Sequence, residues 1–159
     1  MSLADTYIIF ELNGFAFGVR SSDVQHVEML EHVTPVPNTA PAVDGVVFSR
    51  GQVFPALNLR VRFNLPRQNP TPATRLIFLK VRQRVVALIV DTAREFQRIP
   101  ADAIRPIEET LVGIDGNYVE GVATLKGRSV LILNVGAVLT LEEITTPPAA
   151  GNLTAPATS

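Results

Sequence analysis

Short runs of Val, Ile, Leu and Phe, broken by Gly, Pro and polar clusters, recur along the chain and read as strands joined by turns. Tyr7–Leu12 predicts a first strand, and Asn13 with Gly14 predicts a tight hairpin into Phe15–Val19. Val46–Phe48 and Val53–Leu57 flank Arg50 and Gly51, Arg75–Val81 and Val85–Val90 flank residues 82–84, and Tyr118–Thr124 and Ser129–Leu133 flank Lys126 and Gly127. Each pair predicts a further hairpin. Many short strands with regular turn signals imply a mainly β chain built as small barrels, with few short helices.

Helical signals are brief. Ser21, Ser22 and Asp23 predict a cap for a short helix or turn reaching Val27, and the spacing of Val135, Val138, Leu139 and Leu141 predicts a helix from Asn134 up to Glu142. Residues 64–74 (NLPRQNPTPAT) hold three prolines and no periodicity, which predicts a linker. Residues 145–159 carry no charge and little to bury, which predicts a disordered tail.

The phrase Gly45–Leu59 (GVVFSRGQVFPALNL) returns without a gap as Gly121–Val135 (GVATLKGRSVLILNV), 76 positions later. Phe15–Val19 is echoed by Val86–Val90. Residues 1–144 therefore divide into two related halves, roughly 7–66 and 75–143, each too small for a comfortable core of its own. Within the phrase, Gly51 and Gly127 supply the positive φ of a hairpin turn, and Asn58 and Asn134 are placed as helix N-caps. Pro55 removes a ladder donor, which predicts an edge position or a bulge. Arg50, at a hairpin tip, has no packing duty; it is either a solvated turn residue or a docking residue.

At 159 residues, with 47% hydrophobic and 18% charged side chains, the chain has material for a core and too few charges for disorder. A formal net charge of −1 without clustered Lys and Arg argues against nucleic-acid binding. No cysteine is present, which removes disulfides, thiolate catalysis and Cys-ligated metals. No early segment resembles a secretory leader and no apolar run reaches the roughly 20 residues of a membrane span. A cytoplasmic protein without membrane insertion is expected.

Catalytic chemistry has little to stand on. There is no Walker loop, no GxGxxG after a strand and no GxSxG elbow. His26, Glu28, Glu31 and His32 are the densest set of possible metal ligands, but their spacing matches no metal motif and a solvated polar face explains them better. Asp91 with Glu95 could be paired carboxylates, yet Asp91 closes a strand, where turn or capping duty is the simpler reading. No cofactor, metal or catalytic residue is expected.

The order of segments carries a resemblance. It runs through Ile8–Leu12 (IIFEL), Phe15–Val19 (FAFGV), Val24–Val27 (VQHV), Thr34–Pro37 (TPVP), Pro41–Val46 (PAVDGV), Arg50–Pro55 (RGQVFP), Leu57–Arg60 (LNLR), Ile89–Asp91 (IVD), Ile104–Pro106 (IRP), Tyr118–Val122 (YVEGV) and Leu131–Leu133 (LIL). Together they resemble the CheW-like domain of bacterial chemosensory adaptors, over residues 6 to 143. The resemblance implies two similar five-stranded SH3-like barrels around a shared apolar layer, with terminal segments that can be exchanged between barrels. It implies scaffolding without catalysis: binding to the cytoplasmic hairpin tip of chemoreceptors and to the CheW-like regulatory domain of the histidine kinase CheA, at membrane-associated arrays. Matched residue by residue, it points to Arg50, Gly45 and Val24 as partner-binding positions, with His26 beside Val24 on the same surface, Gly45 also readable as purely conformational and Val24 as core. His26 stands where an acidic residue is common, Asn58 and Asn134 where Asp is common, and Phe48 with Ser49 where a polar–Leu pair is usual. These departures imply a divergent member, acting as adaptor or competitor in a chemosensory system of pilus or other non-flagellar output.

Overall fold

Tyr7–Phe10 and Leu76–Leu79 read as unbroken apolar runs, without the alternation of a one-sided sheet, because their strands are buried on both faces. Ile8, Phe10 and Leu12 face one apolar cluster while Tyr7 and Ile9 face another. Likewise Ile77 and Leu79 face the first cluster, and Leu76 and Phe78 face a third. The computed structural model describes residues 6–107 and 118–139. The tail 145–159 and the helical spacing through Leu141 and Glu142 lie outside them.

The strands are β1 (Thr6–Leu12), β2 (Phe15–Arg20), β3 (Val24–Met29), β4 (Val43–Ser49), β5 (Gln52–Asn58), β6 (Arg75–Val81), β7 (Arg84–Val90), β8 (Thr92–Arg98), β9 (Ile104–Arg105), β10 (Val119–Leu125) and β11 (Arg128–Leu133). Two four-residue helices, α1 (Leu59–Arg62) and α2 (Val135–Val138), follow β5 and β11. One sheet runs β8-β1-β2-β11-β10-β9 and the other β3-β6-β7-β5-β4. Neighbours pair antiparallel except β2 with β11 and β5 with β7, which are parallel. The fold is mainly β, two small sheets of SH3-like form around a shared apolar layer. That layer is the largest cluster, including Phe10 and Phe17 from one sheet and Ile77 and Leu88 from the other.

The sheets do not follow the linear halves 7–66 and 75–143. The leading hairpin of the first half, β1-β2, joins β8, β10 and β11 of the second, and the leading hairpin of the second half, β6-β7, joins β3, β4 and β5 of the first. Each half thus lends the other two strands. The physical reason lies in the two-sided apolar character of those hairpins, which must be sandwiched between a barrel interior and the shared layer.

The residues 21–27 segment is also different from expectation. Ser21–Asp23 forms one 3-10 turn, and Val24–Met29 is a strand paired with β6. β-branched Val24 and Val27, and alternating exposure along the segment, favour the pleat over a helix. The linker 64–74 has no helix or strand but is tied down: the Arg60 guanidinium donates to the Pro66 carbonyl at 2.7 Å and to the Gln68 side chain.

Both predicted Asn caps form. Asn58 Oδ1 accepts from the backbone N–H of Arg60 (3.0 Å) and Val61 (3.4 Å), and Asn134 Oδ1 from that of Ala137 (3.3 Å). Pro55 lies at the start of the parallel ladder. Val46 directs its backbone N–H and carbonyl to Thr34, so its partner Pro55 has its nitrogen on the side of β7, and pairing with β7 begins only at Ala56. The missing donor therefore costs no bond.

Candidate functional site

The hairpin β4-β5 ends in Arg50 (φ 52°) and Gly51 (φ 79°), both in the left-handed region, as a type I′ turn requires. The turn needed more than the glycine: Arg50 itself is in the αL well. Its side chain is 73% exposed and makes no hydrogen bond to a described residue; its Nε stands 4.0 Å from Glu28 Oε2.

Glu28 belongs to β3, the opposite edge strand of the same sheet, which curls so that β3 and β4 meet. Its Oε2 accepts from the Ser49 hydroxyl in a short hydrogen bond and stands 2.8 Å from His26 Nε2. The His26 ring is held flat against Phe78, with centroids 4.3 Å apart and an interplanar angle of 17°, and Phe54 packs edge-on to Phe78. His26, Glu28, Ser49 and Arg50 thus converge on one carboxylate oxygen.

Two shallow recesses adjoin this cluster. One is lined by Gln25, His26, Ser49, Arg50, Gln52 and Phe54, a set without a carboxylate. The other, lined by Glu28, Glu31, His32, Val47 and Leu76, also carries Met29 and Phe48, which are 56% and 66% exposed. Two large apolar side chains so exposed beside one charged tip are what a protein-docking surface offers.

The sequence-derived site residues separate here. Arg50 and His26 come together through Glu28. Val24, at the start of β3, is half-buried against the shared core and opposes Leu79, with a bulge between it and His26. Gly45 is buried with φ +146°, and a Cβ there would overlap the Thr34 carbonyl and stand 2.9 Å from Pro35 Cα. The absent side chain makes room for the chain's own Thr34–Pro35 segment, so the conformational reading of Gly45 is the one the geometry carries. Glu28, Met29 and Phe48 were missed as a surface. Read as a strand, the segment puts His26 and Glu28 on one face, but its exposed Val27 and Met29 leave no polar–apolar alternation to mark the surface.

The other candidate groups do structural work. Among the described residues no group of three or more His, Asp or Glu is placed to hold a metal ion. Asp91 accepts from Arg60 at 2.8 and 2.6 Å and from the Asn13 backbone at 2.8 Å, while Glu95 is exposed on β8. Burial alone would raise the Asp91 carboxyl; the hydrogen bonds from Arg60 and Asn13 and the guanidinium charge outweigh it and hold the group below its usual range. No helix among the described residues is long and apolar enough to cross a membrane.

Residues 6–143 match the family model described as the CheW-like domain. The chain is 29% identical over 143 residues to the chemotaxis protein CheW of Klebsiella aerogenes, covering 90% of this chain and 86% of that one. It is 30% identical over 135 residues to the chemotaxis protein CheW of Bacillus subtilis, covering 85% and 86%. The crystal structure of the scaffolding protein TtCheW from Thermoanaerobacter tengcongensis superposes with a TM-score of 0.80 at 23% identity, over 90% of this chain and 92% of that one. With the same two-sheet fold and the family match over nearly the whole chain, this protein belongs to the CheW-like domain family.

Proposed function

We propose that this chain is a non-catalytic adaptor of a chemosensory system, coupling chemoreceptors to the histidine kinase CheA. The family match and the relatives named chemotaxis protein CheW support the adaptor role. The observation that carries it to a surface is Arg50, a cation 73% exposed on a rigid two-residue turn, beside exposed Phe48 and Met29. Such a tip orients a partner through charge, while the apolar pair supplies contact area. The partners are the cytoplasmic hairpin tip of the receptors and the regulatory domain of CheA, in the cytoplasm at the receptor array. Val24 and Gly45 serve this surface from beneath, by packing β3 and shaping β4.

Arg50→Ala tests the reading. It is expected to leave the melting temperature unchanged and to weaken binding of the cognate kinase regulatory domain or receptor tip about fivefold to tenfold. Unchanged binding to both would reduce Arg50 to a turn residue.

A second reading is a divergent module that competes at a receptor or kinase, or serves a non-flagellar output. It is favoured by one observation: His26 and Ser49, two positions at which the sequence resemblance departs, lie at the same Glu28 oxygen and so belong to one surface. Reconstitution with receptor and kinase separates the two. An adaptor raises receptor-controlled kinase activity; a competitor binds without raising it.

A further inference from the structure

From Gly45 to Val90 the chain holds eight Lys and Arg residues and not one Asp or Glu, a concentration that the net charge of −1 conceals. The fold finds partners for five of the eight. Arg60 is bound to Asp91, Arg67 to Asp44 at 3.1 Å, and Arg50 lies 4.0 Å from Glu28. Arg75 donates to the carbonyls of Pro72 and Thr74, and Arg62 is half-buried and engaged. The three left over are Lys80, Arg82 and Arg84, all exposed and all without an acid or hydrogen-bond partner among the described residues. They gather at one place, the tip of the β6-β7 hairpin. Lys80 opposes Val85 and Val81 opposes Arg84, and opposed residues share a face of the hairpin. Lys80 therefore stands on one face, Arg84 on the other, and Arg82 in the turn between them. Neither turn residue is glycine, so the backbone presenting Arg82 has less freedom than the glycine-bearing tips of the other three hairpins.

We propose that this tip is a cationic finger, a docking surface for an acidic segment of a protein partner, on a different hairpin from Arg50. Three cations with no internal partner to give up lose little on contact. Arg82 and Arg84 each offer a planar fork of donors that fits a carboxylate through two bonds. Other anions fit less well. A membrane surface calls for about four to eight clustered cations, or for an apolar side chain to insert. None of the large apolar side chains exposed among the described residues lies in this hairpin. A nucleic-acid backbone calls for a stripe of cations along a face, whereas these three surround a point. Because the charges are solvated and unpaired, they act mainly on the speed of encounter, by drawing an acidic surface toward the tip.

The surface adds to the adaptor reading without resting on it, so the probe is a hexaglutamate peptide rather than the kinase or a receptor. Amide NMR spectra of the full chain are followed as the peptide is added at low salt. Three proteins are compared: wild type, the triple variant Lys80→Gln, Arg82→Gln, Arg84→Gln, and the double variant Arg105→Gln, Lys126→Gln. The double variant removes exposed cations from the other sheet and controls for net charge. Wild-type shifts are expected to concentrate at residues 80–85. The triple variant should bind about fivefold to tenfold more weakly, the scale of three exposed ion pairs, and the double variant within about twofold of wild type. Affinity should fall as ionic strength rises. Thermal melts check that both variants fold, and the wild-type shift map needs no variant. Absence of binding, shifts centred elsewhere, or a folded triple variant that binds as well as wild type overturns the proposal. So does stronger binding to anionic lipid vesicles or to a short DNA duplex than to the peptide, which would assign the tip to those partners instead.

Discussion

Arg60 and Asp91 are joined by two hydrogen bonds, Nε to Oδ1 at 2.8 Å and an outer guanidinium nitrogen to Oδ2 at 2.6 Å. Arg60 is the second residue of α1 and is 7% exposed, while Asp91 directly follows β7 and also accepts the backbone N–H of Asn13 at 2.8 Å. One carboxylate therefore ties the hairpin of the first sheet to the helix and linker of the second.

Asp91→Asn leaves the buried guanidinium with no opposite charge and is expected to cost about 3 kcal/mol, the low end for a broken buried pair because Asp91 is partly wet. The pH dependence has a definite sign. The Asp91 carboxyl is held below its ordinary value of about 3.9, so its contribution is complete above that pH and is lost as pH falls through the folded value. Denaturant titrations of both proteins from pH 7 to pH 3 should show the gap between them closing at the acid end. A gap of constant size would mean that the charge of Asp91 is not what stabilises.

Asn58 faces Asp44, with its amide nitrogen 2.8 Å from Asp44 Oδ2, while its Oδ1 caps α1. An aspartate in its place would cap the helix better but set two carboxylates against each other. Asn58→Asp is expected to destabilise by about 1 kcal/mol at pH 7, the repulsion and the lost hydrogen bond exceeding the improved cap. Repulsion raises the affinity of the folded pair for one proton, so the deficit should narrow as pH falls toward 5. Equilibrium unfolding of the variant at pH 7 and pH 5 checks both size and sign; a more stable variant at pH 7 would sink the explanation.

How much of this was legible depends on where the cause sits. The four hairpins, the two Asn caps and the unbroken apolar runs are local, and neighbouring residues display them. Gly51 announces its turn because the constraint lies in its own φ. Gly45 does not, since the obstacle is the backbone of Thr34 and Pro35, brought against it by tertiary folding. Its repeat counterpart Gly121 meets Ile104 and Arg105 in the same way, which shows that the phrase preserves a close crossing as well as a turn. Edge strands were hardest to see. β8 (TAREFQR) is largely exposed, so its pattern is polar where a central strand would be apolar. The cluster at Glu28 needed the curl of a whole sheet to bring β3 beside β4, and no spacing within the sequence encodes that approach.

The turn between β6 and β7 breaks a rule that the other three hairpins keep. Asn13–Gly14, Arg50–Gly51 and Lys126–Gly127 each place glycine second, at φ between 76° and 85°. Here Arg82 and Gln83 both occupy the left-handed region, at φ 51° and 69°, without a glycine. A non-glycine residue in that well costs about 1–2 kcal/mol. Replacing Gln83 by glycine removes this cost but adds freedom to the unfolded chain, worth about 0.4–1 kcal/mol in the other direction. Gln83 is exposed at the tip, so no packing is lost. The balance favours Gln83→Gly by about 0.5–1 kcal/mol, which for a chain of this size raises the melting temperature by roughly 1–4 °C. Differential scanning calorimetry of the two proteins measures it directly. A lower melting temperature would mean that the unfolded-state entropy outweighs the strain of the turn.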